Sequence, residues 1–269
     1  MPAKNLTKIL IFGDVSGAQG RLALKKIIPS WQKKYQPSLI IANVENLAHN
    51  KGVTLKTLEE IRRAGVQLFT GGNHIWAKDD IPDLASHTDF SLACPLNDSR
   101  TPDKFKSQDF TTDQGLLITV INLQGQIFMD SDYTSNPFLA VDRLLTNLAT
   151  GRIILVDMHA EATSEKRAMG FYLDGRATLV YGTHTHVGTN DSQILPNGTA
   201  YISDIGMTGP YDSILGVKKE VIIEKFLTSG KIRHELPDTG QMEVNAILLE
   251  VDNNSLQAQS ITPLRKTID

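Results

Sequence analysis

The chain has 269 residues, 41% of them apolar and 21% charged, and carries a net charge of −3. That balance excludes intrinsic disorder and argues against a broad non-specific nucleic-acid surface, which needs clustered Lys and Arg. The single cysteine, Cys94, excludes an internal disulfide, fits a reducing compartment and reads as a small buried hydrophobe. From the N-terminus, the pattern predicts a strand at 8–12, a helix at 20–34, a strand at 38–44, a helix at 54–64 and a strand at 66–70. A strand at 115–123, a helix at 136–149, a strand at 152–158, a helix at 161–172, strands at 177–182 and 199–203 and a helix at 217–227 follow. The strand segments are short and rich in β-branched residues, as buried strands are, and their alternation with helices implies mostly parallel sheet. Near the C-terminus, 231–235, 243–251 and 256–264 read as successive strands joined by short turns, hence an antiparallel part. A layered α/β sandwich in one domain spanning 1–269 is expected. The apolar stretch at 8–12 is too short for a signal-peptide core and no later window could span a membrane, so a cytoplasmic protein without a membrane partner is expected.

The informative feature is what ends each apolar run. The first ends in Gly13-Asp14, the second in Glu45-Asn46 and the third in Gly71-Gly72-Asn73-His74. The run at 152–158 ends in His159, and that at 177–182 in Thr183-His184-Thr185-His186. Five strands thus deliver carboxylates, amides or imidazoles to the C-terminal edge, where open α/β sheets form ligand sites. Asp14, Glu45, Asn46, Asn73, His159, His184 and His186 amount to seven oxygen or nitrogen donors and no thiolate, a set suited to manganese, iron or zinc. Seven donors are too many for one ion that keeps an open position; they suit two ions sharing a carboxylate, as in two-metal hydrolytic sites. Such a centre attracts a phosphate diester and stabilises the charge that builds on its oxygens.

One competing motif is a Gly13-x-x-x-Gly17-x-x-Gly20 stretch after a strand, with Glu45 ending the next, which has the layout of a dinucleotide fingerprint. Its spacing departs from that fingerprint, and Asp14 would set a negative charge where a pyrophosphate belongs.

The segments FGDVSGAQGR, NVENLAHNKG, GGNHIW, VINLQGQIF, DMHAEATSEKRAMGFYLDGRATLVYGTHTHV and ILPNGTAYISDIGMTGPYDSILG resemble those of the YmdB-type bacterial metallophosphoesterases, a branch of the calcineurin-like superfamily. The resemblance implies a four-layer α/β/β/α sandwich with mixed sheets and a dinuclear iron or manganese centre. It also implies phosphodiesterase activity on small substrates, notably 2′,3′-cyclic nucleotides such as 2′,3′-cyclic AMP. By position, Asp14, Glu45, Asn46 and His186 would hold one metal, and Glu45 would bridge to a second held by Asn73, His159 and His184. His74 would protonate the leaving oxygen as a metal-bridging hydroxide attacks phosphorus. Against the wider superfamily, Asp14 is followed by Val15-Ser16, so Asn46 stands in for a histidine, and Glu45 replaces an aspartate. Ile75-Trp76 follow Asn73-His74 where an acidic residue is usual, which leaves open what orients His74.

Around that centre, Thr208–Asp212 reads as a loop flanking the pocket or a plain surface turn, and Trp76 as a base-stacking ring or a core residue. Glu161 reads as a partner for a ligand histidine or merely as part of a helix's first turn. Two other functions compete: a regulatory protein that binds metal or nucleotide with little turnover, and a metal-dependent nuclease or phosphomonoesterase. Homo-oligomers are common among soluble proteins, and on that general ground alone a homo-oligomer is expected.

Overall fold

The computed structural model describes residues 5–78, 84, 86, 90–129, 131–228 and 233–269. Two mixed sheets face each other. The first is built around β1 (Leu6–Val15), with β2 (Leu39–Asn43), β3 (Leu68–Thr70) and β4 (Leu92–Ala93) following in parallel on one side. On its other side lies β11 (Met207–Pro210), parallel to β1, then β12 (Met242–Asp252) and β13 (Ala258–Ile268), antiparallel. Beyond the short β11, β12 pairs directly with β1, Leu6 opposite Asp252 and Phe12 opposite Ala246.

The second sheet starts with β5 (Gln108–Thr111), antiparallel to β6 (Leu117–Gln124). Next come β7 (Ile153–His159), β8 (Leu179–Thr183) and β10 (Ala200–Ile202), all parallel, and β9 (Gln193–Ile194) closes the edge. Ile9, Ile11, Leu39, Ile41, Val120, Leu155, Leu179 and Ile247 fill the space between the sheets. Each such side chain contributes about 1.5–3 kcal/mol by leaving water.

Helices cover the two outer faces, giving the α/β/β/α order that the resemblance implies. α1 (Gly17–Tyr35) and α2 (Leu55–Arg63) lay Leu24, Ile28, Trp31, Leu58 and Ile61 on the first sheet. α3 (Pro137–Asn147) and α4 (Thr163–Tyr172) pack Val141 and Met169 on the second. α2 starts where Thr54 and Thr57 cap each other reciprocally, and α3 where Asn136 accepts the Phe138 and Leu139 amides with Pro137 as its first residue. α5 (Lys219–Thr228) completes the helices among the described residues. None is long and apolar enough to cross a membrane.

Two expectations fail. Residues 233–235 form no strand, while 231 and 232 lie outside the described residues. Residues 208–210 of the expected loop at 208–212 belong to β11, wedged between β1 and β12 and buried. Gly209 and Pro210 disguise it as a turn, but the Pro sits at the strand end, where its missing N–H disturbs the ladder least. The glycines of the competing dinucleotide motif serve packing. A Cβ at Gly13 would stand 1.8 Å from the Gly206 carbonyl oxygen, so that position admits no side chain.

Candidate metal centre

The C-terminal ends of β1, β2 and β3 in the first sheet and of β7 and β8 in the second meet at one edge of the sandwich and bring all eight expected residues together. Asp14 lies inside the end of β1 and His159 ends β7. Glu45 and Asn46 follow β2, Asn73 and His74 open the 3-10 turn after β3, and His184 and His186 follow β8.

Nε2 of His159 is the focus of one group. Asn73 Oδ1 lies 3.0 Å from it, Glu45 Oε2 3.1 Å and His184 Nδ1 3.1 Å. The ligand atoms of Glu45, His159 and His184 all fall within 4.8 Å of one another. A second group adjoins it. His186 Nε2 lies 3.2 Å from the Asn46 amide nitrogen and 3.8 Å from Asp14 Oδ1, and that same amide donates to Glu45 Oε1 at 3.0 Å. Glu45 therefore turns one oxygen to each group.

Proton positions follow from the partners. Thr183 Oγ1 donates to Asp157 Oδ1 at 2.7 Å, so its lone pairs face His159 Nδ1, 2.8 Å away. Nδ1 therefore carries a hydrogen, and Nε2 is the nitrogen that would exchange its proton for a bound cation. His186 Nδ1 likewise meets the Leu215 carbonyl at 3.2 Å, which frees its Nε2. Glu161 Oε2 meets His184 Nε2 at 3.2 Å, leaving Nδ1 to face His159. His74 is gripped on one side: Glu45 Oε2 accepts its backbone N–H at 2.9 Å, and its Nδ1 lies 3.1 Å from Asn46 Oδ1 and 3.4 Å from Glu45 Oε1. Asn46 and Glu45 thus fill the orienting place for which the sequence offered no acidic neighbour.

Charge at the site is concentrated and buried. Burial raises the Asp14 carboxyl against the pull of His186 and His159. Burial also opposes the charge on Glu45, but His159 and His74 overcome it and hold that carboxyl well below the usual range. His159 would be lowered by burial, yet Glu45, Asp14 and Asp157 push it up to about 9. Its neighbour His184, edge-on to it with centroids 4.8 Å apart, is pushed down to about 3 by burial and then by His159. The carboxylates therefore attract one cation to this spot, and the second imidazole stays neutral.

The residues fit metal ions on three counts. The donors are oxygens and imidazole nitrogens, and those of Glu45, Asn73 and His184 converge on His159 Nε2. Asp14 Oδ1 is buried without a hydrogen-bond partner, an expensive state for a carboxylate oxygen unless a cation meets it. And Gly72 leaves room: a Cβ there would stand 2.3 Å from Glu45 Oε2 and 2.5 Å from His159 Nε2. A cavity of about 430 Å³ opens over Glu45, Asn46, His74, His184 and His186, with Ile214, Leu215 and Phe226 in its far wall.

Several supporting residues escape a reading by strand ends. Asp157 sits two residues before His159 on the same face of β7 and looks like part of an apolar run. It takes hydrogen bonds from Thr70 at 2.5 Å and Asn43 at 3.2 Å across the sheet interface, and burial lifts it to about 6. Asp204, paired with buried Lys166 at 2.7 Å, accepts from the Thr185 hydroxyl at 2.8 Å and fixes the turn between the two histidines. That turn holds His184 at φ 98° and His186 at φ 64°, unfavourable for residues with a Cβ, so the packing must impose it. An acidic residue inside an otherwise apolar strand is the one sequence signal that could have found Asp157.

A *Bacillus subtilis* protein described as a 2′,3′-cyclic-nucleotide 2′-phosphodiesterase is 40% identical over 262 residues, 94% of this chain and 95% of its own. The crystal structure of a *Mycoplasma pneumoniae* protein described as a novel phosphatase superposes with TM-score 0.91 at 34% identity, over 99% of this chain and 95% of that one. A *Thermus thermophilus* protein described as hypothetical superposes with TM-score 0.88 at 34% identity, over 98% of this chain and all of the other. The model of the YmdB-like protein family matches residues 10–264, and the chain belongs to that family.

Proposed function

We propose that this chain is a metal-dependent phosphodiesterase acting on small diesters, 2′,3′-cyclic nucleotides foremost. The observation that carries the reading is the convergence of Glu45 Oε2, Asn73 Oδ1 and His184 Nδ1 on His159 Nε2, each at 3.0–3.1 Å. The name of the *Bacillus subtilis* relative supports the substrate class.

Asn73, His159 and His184 would hold one ion, Asp14, Asn46 and His186 the other, with Glu45 shared. When bound, two such ions, iron or manganese, supply Lewis acidity to the phosphoryl oxygens and acidify an attacking water. The chain's own task is to place a proton donor at the leaving oxygen, and His74 is that donor. Asn46 links the two tasks. Turning its oxygen toward Asp14 and His186 brings its N–H₂ to His74 Nδ1, which then accepts, so the ring proton sits on Nε2. That nitrogen is free to give it up. The whole chain acts as one domain, since both sheets share a single inner core. The lone buried Cys94 supports a cytoplasmic setting.

Metal-loaded protein should be offered 2′,3′-cyclic AMP, 3′,5′-cyclic AMP, a phosphomonoester and a short RNA. Fastest turnover of the 2′,3′-cyclic diester is expected. Turnover of none, with metal bound, would leave a binding protein instead.

A further inference from the structure

A second cavity, of about 440 Å³, shares His74 with the first, and its chemistry differs from that of the metal centre. Asn73, His74, Trp76, Arg100, Gln124 and Tyr133 line it, together with the charged Lys51 and Asp132. Gln124 is fully buried, and both its amide nitrogen and its amide oxygen lack a hydrogen-bond partner. Its backbone, by contrast, is fully engaged: Asn97 accepts its N–H at 2.9 Å and donates to its carbonyl at 2.8 Å. On β6 it lies in register with His159 of β7, so the two side chains share the face turned to the site. A buried carboxamide without partners carries a desolvation cost that nothing in the protein offsets. That cost is recovered by a ligand offering an adjacent donor and acceptor.

The wall beside it is π-rich and held in place. Arg100 forms a double hydrogen bond to buried Asp98, at 3.0 and 2.6 Å, and its guanidinium lies 5.0 Å from the Trp76 ring centre and 4.1 Å from that of Tyr133. The Tyr133 carbonyl accepts the Ser99 N–H, and Asn97 ties Ser135 to Gln124, so the loop is anchored on both sides. A glutamine amide pairs with the edge of a base, and aromatic and guanidinium planes stack on its face.

We propose that this cavity seats the nucleobase of the substrate, its polar edge on the Gln124 carboxamide and its face on the Trp76–Arg100–Tyr133 wall. The assignment rests on the phosphodiesterase reading, because His74 at the mouth protonates the leaving oxygen and the nucleoside attached to that oxygen must lie beyond it. Selectivity for nucleotides over other diesters then resides in Gln124 and Tyr133, not in the metal ligands.

The test compares 2′,3′-cyclic AMP with methyl riboside 2′,3′-cyclic phosphate, the same diester without a base, using metal-loaded wild type, Gln124→Leu and Tyr133→Ala. Metal content and thermal midpoint are recorded for each. Wild type should show a KM lower for the nucleotide by about tenfold to a hundredfold. Both variants should remove most of that gap while handling the base-less diester as wild type does. Equal KM values in wild type, or variants that slow both substrates alike, overturn the assignment. If wild type turns over neither diester, the phosphodiesterase reading fails and calorimetric titration with adenosine decides the cavity. Binding to wild type that both variants lose upholds the base site, and no binding to wild type overturns it.

Discussion

Thr183 Oγ1 stands 2.8 Å from His159 Nδ1, and it can only accept there, because its single proton is committed to Asp157. A buried threonine thus decides which nitrogen of a candidate ligand keeps its lone pair. Thr183→Val preserves shape and removes that instruction. Metal affinity should fall about 10- to 100-fold, as for other partners of ligand histidines. Metal titration followed by elemental analysis checks this, and unchanged affinity would show that Thr183 does not set the tautomer.

His74 and His184 should separate cleanly on mutation. His74→Ala is expected to keep its metal and to lose about 10²- to 10⁴-fold in kcat on a diester with a poor leaving group. With a nitrophenolate leaving group, which needs no proton, the loss should shrink. His184→Ala should instead purify with less metal. Equal metal content in the two variants would refute the division of roles.

Gly72→Ala tests the crowding directly. Its backbone is extended, with φ 174°, so alanine strains nothing locally, yet its methyl group collides with Glu45 and His159. The variant should fold with a near-normal far-ultraviolet spectrum and lose both metal and turnover. Retained turnover would mean that the donors are not held where they stand.

The Lys166–Asp204 pair is almost entirely buried, so removing one partner strands the other. Lys166→Met should cost about 3–5 kcal/mol in denaturant unfolding. It should also weaken metal binding, because Asp204 then no longer fixes Thr185. A stability loss without any change in metal affinity would confine the pair to a packing role.

Cys94 is fully buried, and burial pushes its thiol far up. The group stays protonated through the whole working pH range, and thiolate is the reactive form. Native protein should therefore resist Ellman's reagent at pH 8 and react once unfolded. Fast labelling of the native chain would contradict the placement.

Most of the frame was legible because buried parallel strands are written as apolar runs. β1, β2, β3, β6, β7, β8 and β10 coincide with such runs, and the five helices lie within a few residues of their amphipathic stretches. The site was legible for a related reason: each ligand candidate ends a run, where a polar residue interrupts an apolar one. What escaped lies inside runs or outside them. Asp157 sits inside an apolar run, and its polarity has meaning only beside Thr183 and Asn43; Gln124 ends the run at 115–123, and its polarity has meaning only beside the second cavity. β11 escaped because a Gly-Pro strand is held by its neighbours on both sides and owes little to its own propensity. The expected strand at 231–235 shows the converse, a pattern that reads as extended yet joins no sheet over residues 233–235.

The pairing of β1 with β12 fixes when this molecule can become itself. Residues 6–12 leave the ribosome about 240 residues before their antiparallel partners, 246–252. At about 5–20 residues per second, roughly 10–50 s separate the two. Through that interval one flank of the central strand is an open apolar edge, able to pair with whatever extended chain it meets. Crowded synthesis therefore endangers this protein more than refolding of the finished chain, and a chaperone that shields the nascent N-terminal third should raise its soluble yield.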